Sequence, residues 1–463
     1  MNEIITEIGN HRKSFRMISF SQVLFLLALA VVSLTTFLVA TYPTTKKEDA
    51  NLAYMSIIRN QSDISLSSMI DAVTGKLFEM DKKRSYGGKR LIDMSNQPAI
   101  VNNKKEMLCD YWAVITSVND PTVVVRQLAE TSEKLCLVVV ADKKSPTKYD
   151  VTRNHLVYLT VEDQEKLTYN IMKLVPWNHF ARKNIGFLYA IQHGAIKIFD
   201  VDDDNELIST KNIIKQVFDH TKKDYDYIET KQYVTNPYMI YLNQKGEFIW
   251  PRGYPLEAIK TEHDYVFKPE NVTLKNNHVA NLGVIQYLQN VNPDLDAIYR
   301  ITHPIPAKFD DSITQCFILA KDSFAPWNAQ STLFNYNAFW GLLLPMTVHG
   351  RVSDIWRSYF TQRLLWEKSS NIAFCPSLVN HIRNQHRLIK DFDAELPLYT
   401  QAESLVKYLQ QWKPVSKDIP SMLEELYIDM YERGILELKD VEFIQLWIQD
   451  LQRVGYSLEY IVC

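Results

Sequence analysis

Four carboxylates crowd into five positions, Asp200, Asp202, Asp203 and Asp204, directly after the mostly apolar run from Ala195 to Phe199. A β-branched stretch that ends this way predicts a strand delivering hard oxygen ligands to a sheet edge, where a divalent cation and a diphosphate can be held. Like charges at this spacing repel. A bound Mn²⁺ or Mg²⁺ is the simplest partner for them, with Asp200, Asp202 and Asp203 as its ligands. The plainer alternative is a solvated acidic turn.

The residues before this turn favour the metal reading. Ile185, Leu188, Ile191 and Ala195 recur at three- to four-residue spacing, as one buried helical face requires, and Gly194 stands where a helix stop is expected. Arg182, Lys183 and Asn184 then fall in the first turn. Cations there oppose the helix dipole, so two adjacent ones suggest an anion docked at the helix start. The alternative is two surface basic residues without a role. Basic clamp, helix, strand and acidic turn follow one another in the order of a nucleotide-sugar-dependent transferase of GT-A type.

Two earlier β-α units extend the pattern. Trp112 to Val118 reads as a buried strand leaving the polar turn Asn119-Asp120-Pro121, and Val123 to Glu133 as helix. Leu135 to Asp142 reads as a second, near-continuously apolar strand, and Leu156 to Leu159 as a short third. Such runs predict a parallel sheet covered on both faces. Thr160 and Asp163 approximate a capping box for a helix running to Leu174. Ligands of open α/β sheets bind beyond the carboxyl ends of the strands. That rule gathers Thr116, Ser117, Asp142 and the acidic cluster on one rim, with Asp142 or Thr116 placed to hold a nucleoside. Neither GxGxxG nor GxxxxGK[ST] occurs, which argues against a dinucleotide fingerprint and a P-loop.

Downstream, Tyr238 to Leu242 and Glu247 to Trp250 flank Asn243-Gln244-Lys245-Gly246, a hairpin signal. The rigid loop Trp250-Pro251-Arg252-Gly253-Tyr254-Pro255 offers an aromatic face beside an arginine, suited to a sugar, a diphosphate or a structural turn. Asp294 and Asp296 form a second DxD, read as one strand face with a supporting or acceptor-side role. Ser353 and Asp354 precede a helical pattern, either as caps or with Asp354 as the base that takes the acceptor's proton. Arg357 and Arg363 are supporting partners, and His349, His381 and His386 are further candidates for metal or phosphate. From Leu396 onward the pattern is helical, punctuated by Asp418, Pro420 and Gly434.

Taken in order, these residues resemble the STELLO family. Tyr111-Trp112-Ala113-Val114, Arg182 to Ala195 and Ile198 to Asp203 carry the likeness. It continues through Trp250 to Leu256, Pro293 to Arg300, Phe339 to Pro345, Ser353 to Arg357 and Gln362 to Glu367, and closes with Leu446 to Leu451 and Val454 to Tyr456. It spans roughly residues 107 to 463. The resemblance implies a type II Golgi membrane protein with a lumenal GT-A-like region, and a role in organising other glycan-synthesising enzymes. Donor and acceptor are not settled for the family; a UDP-sugar is the expectation by analogy.

The amino terminus agrees. Met17 to Ala40 carries no charged side chain, is long enough for a bilayer core of about 30 Å, and follows Arg12, Lys13 and Arg16. We therefore divide the chain into a cytoplasmic tail (1–16), a transmembrane signal anchor (17–40), a lumenal stem (41–106), a GT-A-like domain (107–395) with a Rossmann-like, mostly parallel sheet, and a helical region packed on it (396–463). Asn60-Gln61-Ser62 and Asn271-Val272-Thr273 are glycosylation sequons for a lumenal chain. Cys136 reads as a buried hydrophobe, leaving Cys109, Cys316, Cys375 and Cys463 to supply one bridge. A net charge of -3 with a pI near 6.4 argues against nucleic acid as a partner. The expected partners are the membrane, a nucleotide sugar, a glycan or other acceptor, other Golgi enzymes or a second copy. A non-catalytic Golgi scaffold is the rival reading; a nucleotidyltransferase lacks its glycine-rich phosphate loop.

Overall fold

The structure is a computed structural model that describes residues 80–91, 99–100 and 108–458, apart from 132, 212, 219–224, 231, 243–247, 264–272, 278–280, 304, 306–308 and 385–386. The expected anchor at 17–40, most of the expected stem, the asparagines of both sequons, His386 and Cys463 lie outside these residues. Among the described residues, no helix is long and apolar enough to cross a membrane.

The amino-terminal half builds as its apolar runs require. Strand β1 (Tyr111–Thr116) leads through helix α1 (Val123–Ala129) to β2 (Leu135–Val140), and β3 (Leu156–Leu159) follows. The side chains of β1 and β2 alternate between two cores: Trp112, Val114, Cys136 and Val138 face one, and Ala113, Ile115, Leu137 and Val139 the other. Apolar burial on both faces is what a parallel sheet sandwiched by helices demands. Helix α2 (Val161–Lys166) starts with the expected capping box, Thr160 and Asp163 exchanging bonds, but stops at Lys166 rather than Leu174. Asn170–Lys173 resumes only as a 3₁₀ turn. Helix α3 (Lys183–Gln192) then leads into β4 (Lys197–Asp200).

Strands β5 (Asn205–Leu207) and β6 (Tyr225–Glu229), helix α4 (Leu256–His263), strands β7 (Thr273–Asn277) and β8 (Leu282–Asn290), helix α5 (Ala297–Thr302), strands β9 (Phe317–Leu319) and β10 (Thr332–Asn335), helix α6 (Gly350–Glu367) and β11 (Asn371–His381) complete the sheet region. Three helices close the chain: α7 (Leu388–Gln411), α8 (Ile419–Glu432) and α9 (Leu438–Arg453). The sheet runs β3-β2-β1-β4-β10-β8-β11-β9-β6-β7, with β5 on β11. Its first four strands are all parallel, and β10 is antiparallel to both its neighbours. This is a mixed α/β fold consistent with a GT-A-like domain; the strands of the rim half are all parallel, and parallel pairs recur beyond β10 at β8–β11 and β6–β9.

The chain winds outward from β1 to β3 and then returns to lay β4 on the other side of β1. A topological switch point therefore lies between β1 and β4, and open α/β sheets bind ligands in the crevice beyond such a point. Gly186 permits the close helix packing needed there. A Cβ on it would lie 2.6 Å from Val114 and 2.8 Å from Val140.

Several expectations give way to local chemistry. The hairpin around 243–246 is replaced on its first arm by a 3₁₀ turn, Pro237–Tyr241, because Pro237 fixes a helical φ and is well placed at a first-turn position. Asp294 and Asp296 lie on no strand: they follow β8, and Asp296 caps α5. Helix α6 begins before Ser353, capped by the His349 side chain at Arg351 N–H. Cys136 is not a free hydrophobe, since disulfides join Cys109 to Cys136 and Cys316 to Cys375. Residues 80–91, read as stem, lie against α8, with Lys82 paired to Glu432 and Arg84 to Glu437 at 2.8 Å.

Candidate functional site

The acidic turn is built from inside the sheet outward. Asp200 ends β4 in register with Val114 of β1 and Thr332 of β10, and it is fully buried. A carboxylate in that position needs compensating cations, and two reach it. Lys183, the first residue of α3, places Nζ 2.6 Å from one oxygen, and Arg357 of α6 places Nη1 2.9 Å from the other. Lys183 is itself wholly buried. Its ammonium also donates to Asp202 at 2.7 Å, to the Val201 carbonyl at 3.0 Å and to the Ala329 carbonyl at 3.1 Å. Burial alone would drive the amine toward neutrality, but Asp200 and Asp202 outweigh it and raise its pKa.

The other carboxylates turn to other partners. Asp203 accepts from Ser117 Oγ at 2.6 Å and from Asn119 Nδ2 at 3.0 Å. Asp204 lies 3.2 Å from His381 Nε2, whose other ring nitrogen meets the Asn292 carbonyl. Among the described residues, no group of three or more His, Cys, Asp or Glu side chains is gathered to hold a metal ion. The arrangement of Asp200, Asp202 and Asp203 therefore does not fit a shared divalent cation, because the position between Asp200 and Asp202 is filled by Lys183.

Arg182 takes a different direction from Lys183. Its guanidinium lies 3.4 Å over the Trp177 ring and donates to Gln164, through Nε at 3.1 Å and through Nη2. Burial lowers its pKa to about 10, so it stays cationic at neutral pH. Asp142, beyond β2, accepts from the backbone of Lys143 at 2.7 Å, Asn178 at 2.8 Å and His179 at 3.3 Å. It thus fixes the loop that enters α3. Thr116 ends β1, and Ser117 beside it bridges to both the acidic turn and Ser145. Thr116, Ser117, Asp142 and Asp203 lie at or just beyond the ends of the neighbouring strands β1, β2 and β4, and of these Ser117 and Asp203 are hydrogen-bonded.

Asp354 sits elsewhere. It is buried on α6, and its oxygens receive Arg252 Nη1 at 3.1 Å and Nη2 at 2.9 Å, Ala329 N–H at 3.1 Å and Ile355 N–H at 3.1 Å. A carboxylate offers about four acceptor positions; all of them are used, so none is free for an acceptor hydroxyl. Arg252 also holds Asp294 through Nε at 2.9 Å, which keeps that carboxyl well below its usual range against the opposing effect of burial. Asn328 Nδ2 adds a bond to Asp294 at 3.1 Å. Ala329 joins the two systems, since its carbonyl meets Lys183 and its N–H meets Asp354.

Sequence reasoning missed the loop at 328–329 and the inward course of Lys183. The first carries no recognisable signal. The second follows from the helix start: Arg182 ends the 3₁₀ turn Phe180–Arg182 and caps α3, whereas Lys183 is its first residue, and the two side chains leave in different directions.

Comparison with known proteins matches residues 351–463 to a family model described as STELLO glycosyltransferases. The chain is 30% identical over 384 residues to "Probable glycosyltransferase STELLO2" of Arabidopsis thaliana, covering 78% of this chain and 48% of that protein. It is 29% identical over 363 residues to "Probable glycosyltransferase STELLO1" of the same plant, covering 75% and 45%. The chain spans about half the length of the curated relatives it matches.

Proposed function

We propose, from a chain that is kin to the STELLO glycosyltransferases over most of its length, that the crevice beyond β1, β2 and β4 binds a nucleotide-sugar donor. Glycosyltransferase-like is the description that this kinship gives. The observation that carries the finer reading is the meeting of Ser117, Asn119 and Asp203 at the switch point between β1 and β4, with Asp142 beyond the neighbouring β2. Hydroxyl, amide and carboxylate groups on strand ends suit a ribose and a pyrimidine, and Arg182 on the Trp177 face supplies a cation beside them. A UDP-sugar is the donor of choice, and a glycan the acceptor.

The two disulfides support an oxidising compartment, as a lumenal Golgi domain behind a type II anchor at 17–40 has. A second reading has its own observation. Asp200, Asp294 and Asp354 are all neutralised by buried cations, which favours a domain that binds donor and partner enzymes without turning the donor over. Thermal melts of the purified full-length chain against UDP-sugars and GDP-sugars, with donor hydrolysis measured in parallel, decide between them. Stabilisation with hydrolysis supports the transferase, stabilisation alone supports the scaffold, and no stabilisation by any donor removes the nucleotide-sugar reading.

A further inference from the structure

The acidic turn carries a cation of its own. Four oxygens surround Lys183 Nζ within 3.1 Å: Asp200 Oδ1, Asp202 Oδ1 and the carbonyls of Val201 and Ala329. Two carboxylates and two carbonyls are the donor set that hard divalent ions prefer. An ammonium has only three protons to share among these four oxygens, and Asp200 Oδ1, buried and nearest at 2.6 Å, is held as an ion pair. The cage thus offers one oxygen more than its occupant can bond.

We infer that Lys183 is the resident cation of this turn, standing where a divalent ion would stand, so that a phosphorylated ligand is received at the rim without metal. The inference rests on the reading of the rim as a nucleotide site only for its second half; the occupancy of the cage is independent of it. A divalent ion entering from solvent must displace an amine tethered to α3 and buried between its partners. Arg357 on the far oxygen of Asp200 already neutralises the charge that would draw such an ion in, while Asp203 and Asp204 are engaged by Ser117, Asn119 and His381. Removing the ammonium should convert the same four oxygens into a metal site.

The test uses the full-length chain, metal-stripped, with Mn²⁺ and Ca²⁺ as probes. Wild type should show no saturable Mn²⁺ site by electron paramagnetic resonance and no rise in melting temperature with either ion. Lys183→Ala should melt several degrees lower in chelator and regain most of the loss in Mn²⁺ or Ca²⁺. Lys183→Ala with Asp202→Asn should lose that rescue. Should Lys183→Ala fail to fold, the wild-type titration still decides: a saturable Mn²⁺ site abolished by Asp202→Ala overturns the inference. In a second arm UDP and GDP are each titrated with chelator and with Mn²⁺. Equal affinity within about twofold supports the inference. Binding only with Mn²⁺ overturns it and leaves the proposed function standing. Binding of neither UDP nor GDP under either condition sinks the proposed function, and the metal arm then judges the cage alone.

Discussion

Arg252 grips Asp354 with both terminal nitrogens, at 3.1 and 2.9 Å, in the planar fork that guanidinium and carboxylate share. The pair is buried, and Asp294 completes it on the opposite side of the arginine. Removing one partner of a buried ion pair strands the other, at a cost of about 3–5 kcal/mol. Asp354→Ala is therefore expected to lower unfolding free energy by that amount in urea titrations. If Asp354 acted as a free base instead, the variant would lose transfer activity while keeping wild-type stability, and that result would remove the structural role assigned here.

The approach of α3 to the sheet makes a second prediction. In an open helix Gly→Ala gains about 1 kcal/mol from propensity, but at Gly186 the added methyl meets Val114 and Val140 at distances well inside contact. Overpacking of this kind costs about 1–3 kcal/mol, so the steric effect wins and Gly186→Ala should be destabilised in denaturant. Gly87→Ala, with nothing within 4 Å of the added carbon, should not. Equal midpoints for the two variants would show that α3 can move away from the sheet at little cost.

The same helix shows what the sequence made legible. Its position, its glycine stop, the strand after it and the parallel order of β1 to β4 follow from local patterns of apolar residues, and those patterns reflect burial directly. The long-range partners of Asp200 and Lys183 do not, because Arg357, which meets Asp200, and Ala329, which meets Lys183, are brought from 157 and 129 positions beyond Asp200 by the path of the sheet. A charge is visible in a sequence; the charge that answers it across the core is not. The second DxD failed for a related reason. Alternation implies a shared strand face only where a strand exists, and Asp296 instead serves as an N-cap to Tyr299.

The disulfides give a third prediction. Cys109–Cys136 and Cys316–Cys375 close loops with sequence separations of 27 and 59. Chain-entropy arguments assign the longer loop about 4 kcal/mol and the shorter slightly less. Alkylation of the denatured, unreduced chain should tag one of the five cysteines, and Cys316→Ser with Cys375→Ser should lower the melting temperature more than any exposed Ser substitution. Labelling of three or more thiols would contradict the pairing.

Asp296 supplies the pH dependence. It caps α5 by accepting from Tyr299 N–H at 2.7 Å and binds Trp250 Nε1 at 2.6 Å, almost wholly out of solvent. Burial pushes its carboxyl from 3.8 up to about 7; Glu395 adds to the rise, while the two hydrogen bonds and Arg300 oppose it. The folded state therefore binds this proton more tightly than the unfolded chain. Its stabilising contribution is complete below the ordinary value and is lost as pH climbs toward about 7. The slope is at most about 1.4 kcal/mol per pH unit for one such group. Subtracting the unfolding free energies of Asp296→Asn from those of wild type at each pH isolates this group from the remaining carboxylates. That difference should fall across the window, and Glu395→Gln should shift the fall to lower pH. A difference that stays level or rises would mean that Asp296 is ionised in the fold, held so by Trp250 and the start of α5.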